Sequence, residues 1–479
     1  MTRPRIDEAC TKIVATVGPA CAGQEKLAEL IEAGVDVFRI NSAHGSRDEH
    51  QRAVDRIRAA GRETGFPVAI LMDLAGPKIR LGELSEQPLV CELGMELTFV
   101  RGPDSRGPRE LTSTYDRLID ELAVGNQVML ADGTVTLQVE SVDGERAVCR
   151  VIAPGEVRSR QGINLPGVKL SVPAMLPADI DNAIWAAKNK LDLVSLSFVR
   201  RGEEVKALRE LLAEHQSEAL VIAKIEKPEA LDHLDSIVDA ADGIMVARGD
   251  LGVEIDIAET PVAQKRIIRV CEQKMKPVIV ATQMLESMHH SRRPTRAEAS
   301  DVANAVIDGA DACMLSGETA IGDYPVEAVK IMKRIARFTE RKLLSHQRVD
   351  PTFTDRVHPI TTAATLAATD IAEAIQAKLI VIATRSGSTA WVKSKSDARS
   401  LVPTLGVSDS PESVRRMNLF WGIKPLTMKQ IGDTPALISD VCDWGKRQGG
   451  LANGDNVVFV AGTGVIREAH NVVLVHTVD

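Results

Sequence analysis

Eight short runs dominated by Val, Ile and Leu, each set between longer polar-apolar stretches, constrain this chain more than any other feature. The runs occupy 12–17, 35–41, 68–73, 193–198, 220–225, 243–247, 278–282 and 312–315. Their nearly unbroken apolar character predicts strands buried on both faces. Segments 24–33, 47–64, 203–215, 258–273 and 296–308 carry the spacing of helices with one apolar face. Strand and helix alternating in this way predict an α/β fold built on a (β/α)8 barrel, the TIM barrel.

The rhythm breaks once. About 120 residues separate the third run from the fourth, and 88–172 contains short alternating runs (96–101, 127–130, 135–142, 147–151) punctuated by Gly, Asp and Pro. This texture predicts a small all-β unit inserted on a barrel loop. The stretch 177–190 then supplies the helix before the fourth strand. After residue 344 the pattern changes again: a polar linker at 345–356, a helix at 360–376, and strands at 379–384, 402–407, 456–461 and 472–478. The expected division is 1–77 (barrel, first part), 78–173 (inserted β-rich unit), 174–344 (barrel, second part) and 345–479 (C-terminal α/β domain).

Composition removes several function classes. Lys plus Arg is 58 against 66 for Asp plus Glu, a net charge of −8, so no nucleic-acid partner is expected. With 8 Phe, 4 Trp and 2 Tyr there is little material for a base-stacking platform. The 7 cysteines are scattered and never in a Cys-x-x-Cys pair, which argues against a disulfide framework or zinc cluster. No run approaches the length of a membrane span, and the first eight residues lack the apolar core of a secretion signal. A cytoplasmic setting without membrane contact is expected.

In a barrel of this kind, chemistry sits at the C-terminal ends of the strands. Those ends carry Arg39 and Asn41, Asp73, Ser197 and Arg200, Lys224 and Glu226, Arg248, Gly249 and Asp250, Thr282 and Gln283, and Ser316 and Glu318. Glu226 and Asp250 are hard oxygen donors on adjacent strands, suited to Mg²⁺ or Mn²⁺. Lys224 and Arg39 would balance an anion carrying phosphate and carboxylate. The turn Gly249-Asp250-Leu251-Gly252, opening a helix, offers backbone N–H groups to an anion. Taken singly, Lys-x-Glu on a strand is ordinarily an ion pair and Arg-Gly-Asp ordinarily a turn. His289–His290, in an Arg-rich loop, reads as a solvated pair rather than as metal ligands. The agreement of eight separate strand ends is what carries weight.

The segments TKIVATVGPA (11–20), FRINSAHG (38–45), MDLAGPKIR (72–80), GINLPG (162–167), LSFVR (196–200), KIE (224–226), GIMVARGDLGVEI (243–255), ATQMLESM (281–288) and RPTRAEASDVANAVIDGADACMLSGETAIGDYP (293–325) closely resemble the pyruvate kinase family, and the likeness covers almost the whole chain. The resemblance implies the barrel, a small β-barrel-like lid domain inserted after the third strand, a C-terminal regulatory domain and a homotetramer. It implies transfer of a phosphoryl group from phosphoenolpyruvate to ADP, yielding pyruvate and ATP, the last step of glycolysis.

By the same resemblance, Glu226 and Asp250 hold the divalent metal, Lys224 contacts the transferring phosphoryl group, and Arg39 binds phosphate. Gly249, Asp250 and Thr282 match positions that grip the substrate carboxylate. Thr282 and Ser316 match candidates for the proton path to the enolate carbon. Asn41, His44, Arg80 and Pro19 match nucleotide-side positions, and Asp132 matches an aspartate of the lid that closes over the site. Many relatives have Lys before Gly-x-Asn-Leu-Pro-Gly, where this chain has Gln161 preceded by Arg160, so Arg160 is the candidate replacement.

Many relatives also use K⁺, held by Asn, Ser, Asp and a neighbouring group near a Glu. Here Asn41 and Asp73 remain, but Ala43 lacks the hydroxyl, Leu74 stands for Thr, and Lys78 stands for the Glu. An ammonium is a compact monovalent cation, so Lys78 is expected to replace K⁺, which is then not required. The turn Thr384-Arg385-Ser386-Gly387-Ser388-Thr389 has the hydroxyl content of a phosphate cradle. It corresponds to the place where regulated relatives bind a phosphorylated activator; a simple helix cap is the competing reading. Gly462-Thr463-Gly464 lacks the third glycine of a dinucleotide site.

Two other classes compete at this point. Another phosphoenolpyruvate-handling barrel, such as a mutase or dikinase fragment, lacks the inserted β unit. A catalytically silent binding protein would have no need of Lys224, Glu226, Asp250 and Thr282 together.

Overall fold

The computed structural model describes residues 9–102, 107–343, 359–396, 400–448, 450–461 and 471–479. Eight parallel strands close into a barrel: Lys12–Thr16, Val37–Asn41, Ala69–Asp73, Leu193–Leu196, Leu220–Ile225, Gly243–Ala247, Val278–Ala281 and Ala312–Leu315. Closure is made by the first strand, which pairs Val14 with Val37 on one side and Lys12 with Ala312 on the other. All eight expected runs are strands of this one sheet. Alternate side chains explain their unbroken apolarity: Val14, Leu71, Ile222, Met245 and Met314 fill the barrel, while Ile13, Phe38, Ile70, Val194 and Ile244 pack outward on helices.

The floor of the barrel repeats every second strand. Asp36, Asp192, Asp242 and Asp311 each stand immediately before an even-numbered strand, and each carboxylate accepts the first free N–H of the strand preceding it. The donors are Ile13 (2.9 Å), Ile70 (2.9 Å), Val221 (2.8 Å) and Val278 (2.8 Å). Every one of the four also meets a cation: Lys12, Arg58, Arg209 and Lys395 respectively.

The insertion after the third strand is β-rich, as its turn-punctuated sequence predicts. It comprises a six-stranded sheet, in the order Ile163–Asn164, Gln127–Leu130, Val135–Val142, Arg146–Ala153, Glu96–Val100, Glu110–Leu111, and a two-stranded ribbon of Leu89–Cys91 and Gly155–Val157. Leu97, Phe99, Val128, Leu137, Val139 and Val151 form its core.

The C-terminal domain has five strands in the order Ile423–Thr427, Thr404–Ser408, Leu379–Ala383, Asn456–Ala461, Val472–Thr477, the last antiparallel. Sequence reasoning missed Ile423–Thr427, which contains Pro425. A proline is admitted there because the strand lies at the sheet edge, where one row of N–H groups needs no partner. The expected linker at 345–356 and Gly462-Thr463-Gly464 lie outside the described residues. The domain sits on the barrel floor: Arg415 Nε is 2.7 Å from Asp192, Lys395 Nζ is 2.7 Å from Asp311, and Lys12 Nζ donates to the Ile423 carbonyl at 2.6 Å. Among the described residues no helix is long and apolar enough to cross a membrane.

Candidate active site

At the opposite end, the strand termini bring the singled-out polar residues onto one mouth. Lys224, near the end of the fifth strand, is its centre. The buried ammonium donates to Ser197 Oγ at 2.7 Å and lies 2.9 Å from Glu226 Oε1 and 3.4 Å from Asp73 Oδ1. Burial opposes its charge, but Asp73 and Glu226 more than offset that and lift its pKa to about 12. Lys224 is therefore a cation at any working pH.

Asp73 anchors a second cation. Its Oδ2 accepts from Arg39 Nε at 2.7 Å and lies 2.6 Å from Arg39 Nη2, while Ser195 Oγ donates to Oδ1 at 2.6 Å. Arg39 also reaches Thr16 Oγ1 at 3.1 Å. Burial works against the Asp73 charge, yet Lys224 and Arg39 together hold its carboxyl below the usual range. Ser195 and Thr16 were not singled out in the sequence; a lone hydroxyl inside an apolar run is the only trace either leaves.

Glu226 is almost fully buried. Its Oε2 accepts the Phe198 N–H at 2.6 Å, whereas among the described residues Oε1 has no well-directed hydrogen-bond donor, only the Lys224 ammonium beside it. Burial, reinforced by the charge of Asp250, pushes the Glu226 pKa up against the pull of Lys224. Asp250, in the first turn of the helix Arg248–Glu254 that follows the sixth strand, pairs with Lys78 Nζ at 3.1 Å. Two carboxylates just beyond neighbouring strands, one with an under-used oxygen, are a donor set that fits Mg²⁺ or Mn²⁺. Among the described residues no third His, Cys, Asp or Glu joins them, so remaining coordination would fall to substrate and water.

Gly249 and Thr282 meet directly: the Gly249 N–H donates to Thr282 Oγ1 at 2.7 Å, and the same hydroxyl donates to the Ala281 carbonyl. Sequence reasoning gave each to a substrate carboxylate, and the bond between them puts both donors at one point. Thr282 has φ +70°, costly for a β-branched residue, and Gln283 follows it with φ +55°. Arg248 braces this turn, with Nη2 donating to the Thr282 carbonyl at 2.8 Å and Nη1 pairing with Asp301 at 2.7 Å. Just after the eighth strand, Ser316 Oγ is buried with no hydrogen-bond partner among the described residues, while its N–H donates to Glu318 Oε2 at 2.7 Å.

The nucleotide-side candidates are more dispersed. Asn41 Oδ1 accepts the Ala43 N–H at 3.1 Å, His44 and Pro19 are exposed, and Leu74 is fully buried. Arg80 Nη1 donates to the Arg160 carbonyl at 3.2 Å, but the Arg160 side chain turns to Glu83, 2.6 Å away. Asp132 and Lys78 flank Gly162, where an added Cβ would meet Asp132 Oδ1 at 3.6 Å and Lys78 Cε at 3.5 Å.

The hydroxyl turn of the C-terminal domain is separate from this mouth. Thr384 Oγ1 accepts the Gly387 N–H at 3.1 Å, Ser386 and Ser388 bond each other at 3.0 Å, and Arg385 lies 3.9 Å from Asp409. Arg385, Ser386 and Ser388 are exposed; Thr384, Gly387 and Thr389 are buried. After the seventh barrel strand, His290 pairs with Asp323 and His289 lies near Glu286, so the two imidazoles have different carboxylate partners.

Similarity to known proteins extends over almost the whole chain. The family model for the pyruvate kinase barrel domain matches residues 9–329, and that for the pyruvate kinase alpha/beta domain matches 362–476. The chain is 42% identical over 452 residues to a pyruvate kinase of Mycobacterium intracellulare, covering 94% of each. It is 40% identical over 459 residues to one from Staphylococcus aureus (strain MRSA252), covering 94% of this chain and 77% of that one. Its fold superposes on the crystal structure of a pyruvate kinase from Cryptosporidium parvum with a TM-score of 0.90 at 34% identity, over 99% of this chain and 97% of the other.

Proposed function

The chain belongs to the pyruvate kinase family, and on that premise we propose that it transfers the phosphoryl group of phosphoenolpyruvate to ADP, giving pyruvate and ATP. The observation that carries this reading is Lys224, a permanently charged ammonium buried between Asp73, Glu226 and Ser197. Such a group is placed to follow a transferring phosphoryl from donor to acceptor and to stabilise charge that builds up on it.

Arg39, held in orientation by Asp73, binds the phosphate of phosphoenolpyruvate. Glu226 and Asp250 would hold Mg²⁺ or Mn²⁺, and that ion would supply charge neutralisation at the phosphoryl group and the enolate oxygen. Both carboxylates now sit against ammonium groups, which supports their readiness for a cation. The substrate carboxylate takes the Gly249 N–H and the Thr282 hydroxyl, exchanging the bond between them for bonds of its own. The unpartnered Ser316 hydroxyl, with Thr282, orders the water that protonates the enolate carbon.

On the nucleotide side the proposal includes Asn41, His44, Arg80 and Pro19, with the inserted β unit closing as a lid that carries Asp132. Arg160, engaged with Glu83, has the least support. Independence from K⁺ is supported by the Lys78–Asp250 pair, which already puts a monovalent charge beside a metal-ligand candidate. Activation by a phosphorylated metabolite at Thr384–Thr389 rests on that turn's exposed hydroxyls. A homotetramer working in the cytoplasm completes the proposal.

The test is a coupled assay with phosphoenolpyruvate, ADP and Mg²⁺, repeated with AMP and a panel of sugar phosphates. Pyruvate should appear only when all three are present. No pyruvate from folded protein would overturn the reading.

A further inference from the structure

Glu254 takes no part in the chemistry outlined above, yet its carboxylate is one of the most buried in the barrel, 1% exposed. It closes the short helix Arg248–Glu254, whose first turn carries Gly249 and Asp250. Its Oε1 accepts from two donors: Lys227 Nζ at 2.6 Å and Asn164 Nδ2 at 3.0 Å. Its Oε2 has no hydrogen-bond partner among the described residues. Lys227 directly follows Glu226, and Asn164 lies on Ile163–Asn164, the edge strand of the inserted sheet. One oxygen therefore joins three segments: the helix bearing Asp250, the strand end bearing Glu226, and the inserted unit.

The inserted unit also grips the other end of this helix, through Lys78 and Asp250. Between the two, Val253 faces the turn after Asp132, where a Cβ on Gly133 would stand 3.6 Å from Val253 Cγ1. A seven-residue helix is only about 10 Å long, so the inserted unit spans it from end to end.

The two bonds to Glu254 differ in kind. Lys227 neutralises the carboxylate, while Asn164 contributes a neutral donor. If Asn164 withdraws, no charge is left buried without its counter-ion, and water can take the vacated lone pair. The contact can break and reform without disturbing the Glu254–Lys227 pair. We propose that Glu254 is a positioning residue for the lid: its bond to Asn164 is a reversible latch that sets the inserted unit in register with Glu226 and Asp250 when it closes. This rests on the reading that the inserted unit closes over the site.

The test uses the full-length protein and three variants: Asn164→Ala, Glu254→Gln and the double variant. Steady-state kinetics are read beside proton exchange at the methyl group of pyruvate, a step at the barrel mouth that requires no transfer to nucleotide. A loosened register should lower kcat for phosphoryl transfer about 10- to 100-fold. KM for phosphoenolpyruvate should stay within about twofold, and proton exchange near the unmodified rate. The double variant should be no worse than the poorer single, because Asn164→Ala already removes the donor of the bond that Glu254→Gln weakens from a charged to a neutral acceptor.

Asn164→Ala leaves the Glu254–Lys227 pair intact and decides the matter even if Glu254→Gln does not fold. Wild-type kcat in Asn164→Ala, multiplying effects in the double variant, or proton exchange falling in parallel with transfer would each overturn the latch. An unmodified protein that makes no pyruvate would instead sink the proposed activity, so the two failures are distinguishable.

Discussion

Lys78 and Asp250, 172 positions apart in the chain, meet at 3.1 Å across the boundary between the inserted unit and the barrel. Both side chains are partly open to solvent, so the pair adds little to stability. Its interest lies in its place, since Asp250 is also a candidate metal ligand. A second monovalent cation there would set like charges a few Å apart in a partly desolvated site. Activity should therefore be full when a tetraalkylammonium salt replaces K⁺ at constant ionic strength. Lys78→Glu should lower activity and make it recoverable with K⁺. Strong K⁺ activation of the unmodified protein would refute this.

Lys224→Met should reduce phosphoryl transfer by about 10³-fold or more, measured in a single turnover, because it removes a cation required as charge develops. The same residue predicts a pH effect on stability. Its folded pKa, about 12, lies above its ordinary value of 10.5. The stabilisation is thus fully present below 10.5 and is lost as pH rises towards 12. Unfolding by denaturant across that window should show the unmodified protein losing more stability than Lys224→Met.

Two substitutions under the barrel should differ in cost although both remove a cation from a buried aspartate. Arg415→Ala leaves Asp192 with Arg58 and the Ile70 N–H. Among the described residues, Lys395→Ala leaves Asp311 with only the Val278 N–H, and its Oδ1 already has no partner there. Stranding a buried charge costs about 3–5 kcal/mol. Lys395→Ala should approach that range and Arg415→Ala should fall well short of it, compared by equilibrium unfolding. Equal costs would contradict the assigned partners.

Replacing Ser386 and Thr389 by Ala should weaken activation by a phosphorylated effector. Each hydrogen bond to a charged group is worth about 1.5–3 kcal/mol. Basal turnover at saturating phosphoenolpyruvate should be unchanged. If every effector found still activates the double variant normally, the activator binds elsewhere.

The barrel was legible in the sequence because each strand is buried on both faces and cannot hide its apolar run. Ile423–Thr427 was not, since an edge strand tolerates Lys424 and Pro425 and breaks the pattern that reveals the others. Most mouth residues were found from their strand-end positions, because the barrel converts position along a strand into position in space. What they bond to was not legible. Gly249 and Thr282 satisfy each other, Ser195 supports Asp73 from inside an apolar run, and Arg160 turns to Glu83. Such partnerships depend on side-chain directions across distant segments, which spacing does not encode. Glu254 was likewise invisible as more than a helix-end acid, because Asn164 and Lys227 reach it from elsewhere in the chain.

The four aspartates beneath the barrel turn an eight-strand ring into four copies of one two-strand unit, each closed by its own clasp. Two of these clasps, at Asp192 and Asp311, are completed by side chains from the C-terminal domain, whereas Asp242 is completed by Arg209 of the barrel itself. An appended domain has thus taken over sockets that belong to the scaffold's own repeat, at the end remote from the chemistry. Exchanging that appendage for another would need new occupants for two sockets and no redesign of the mouth. The molecule is built so that its barrel mouth and its C-terminal domain can be inherited separately.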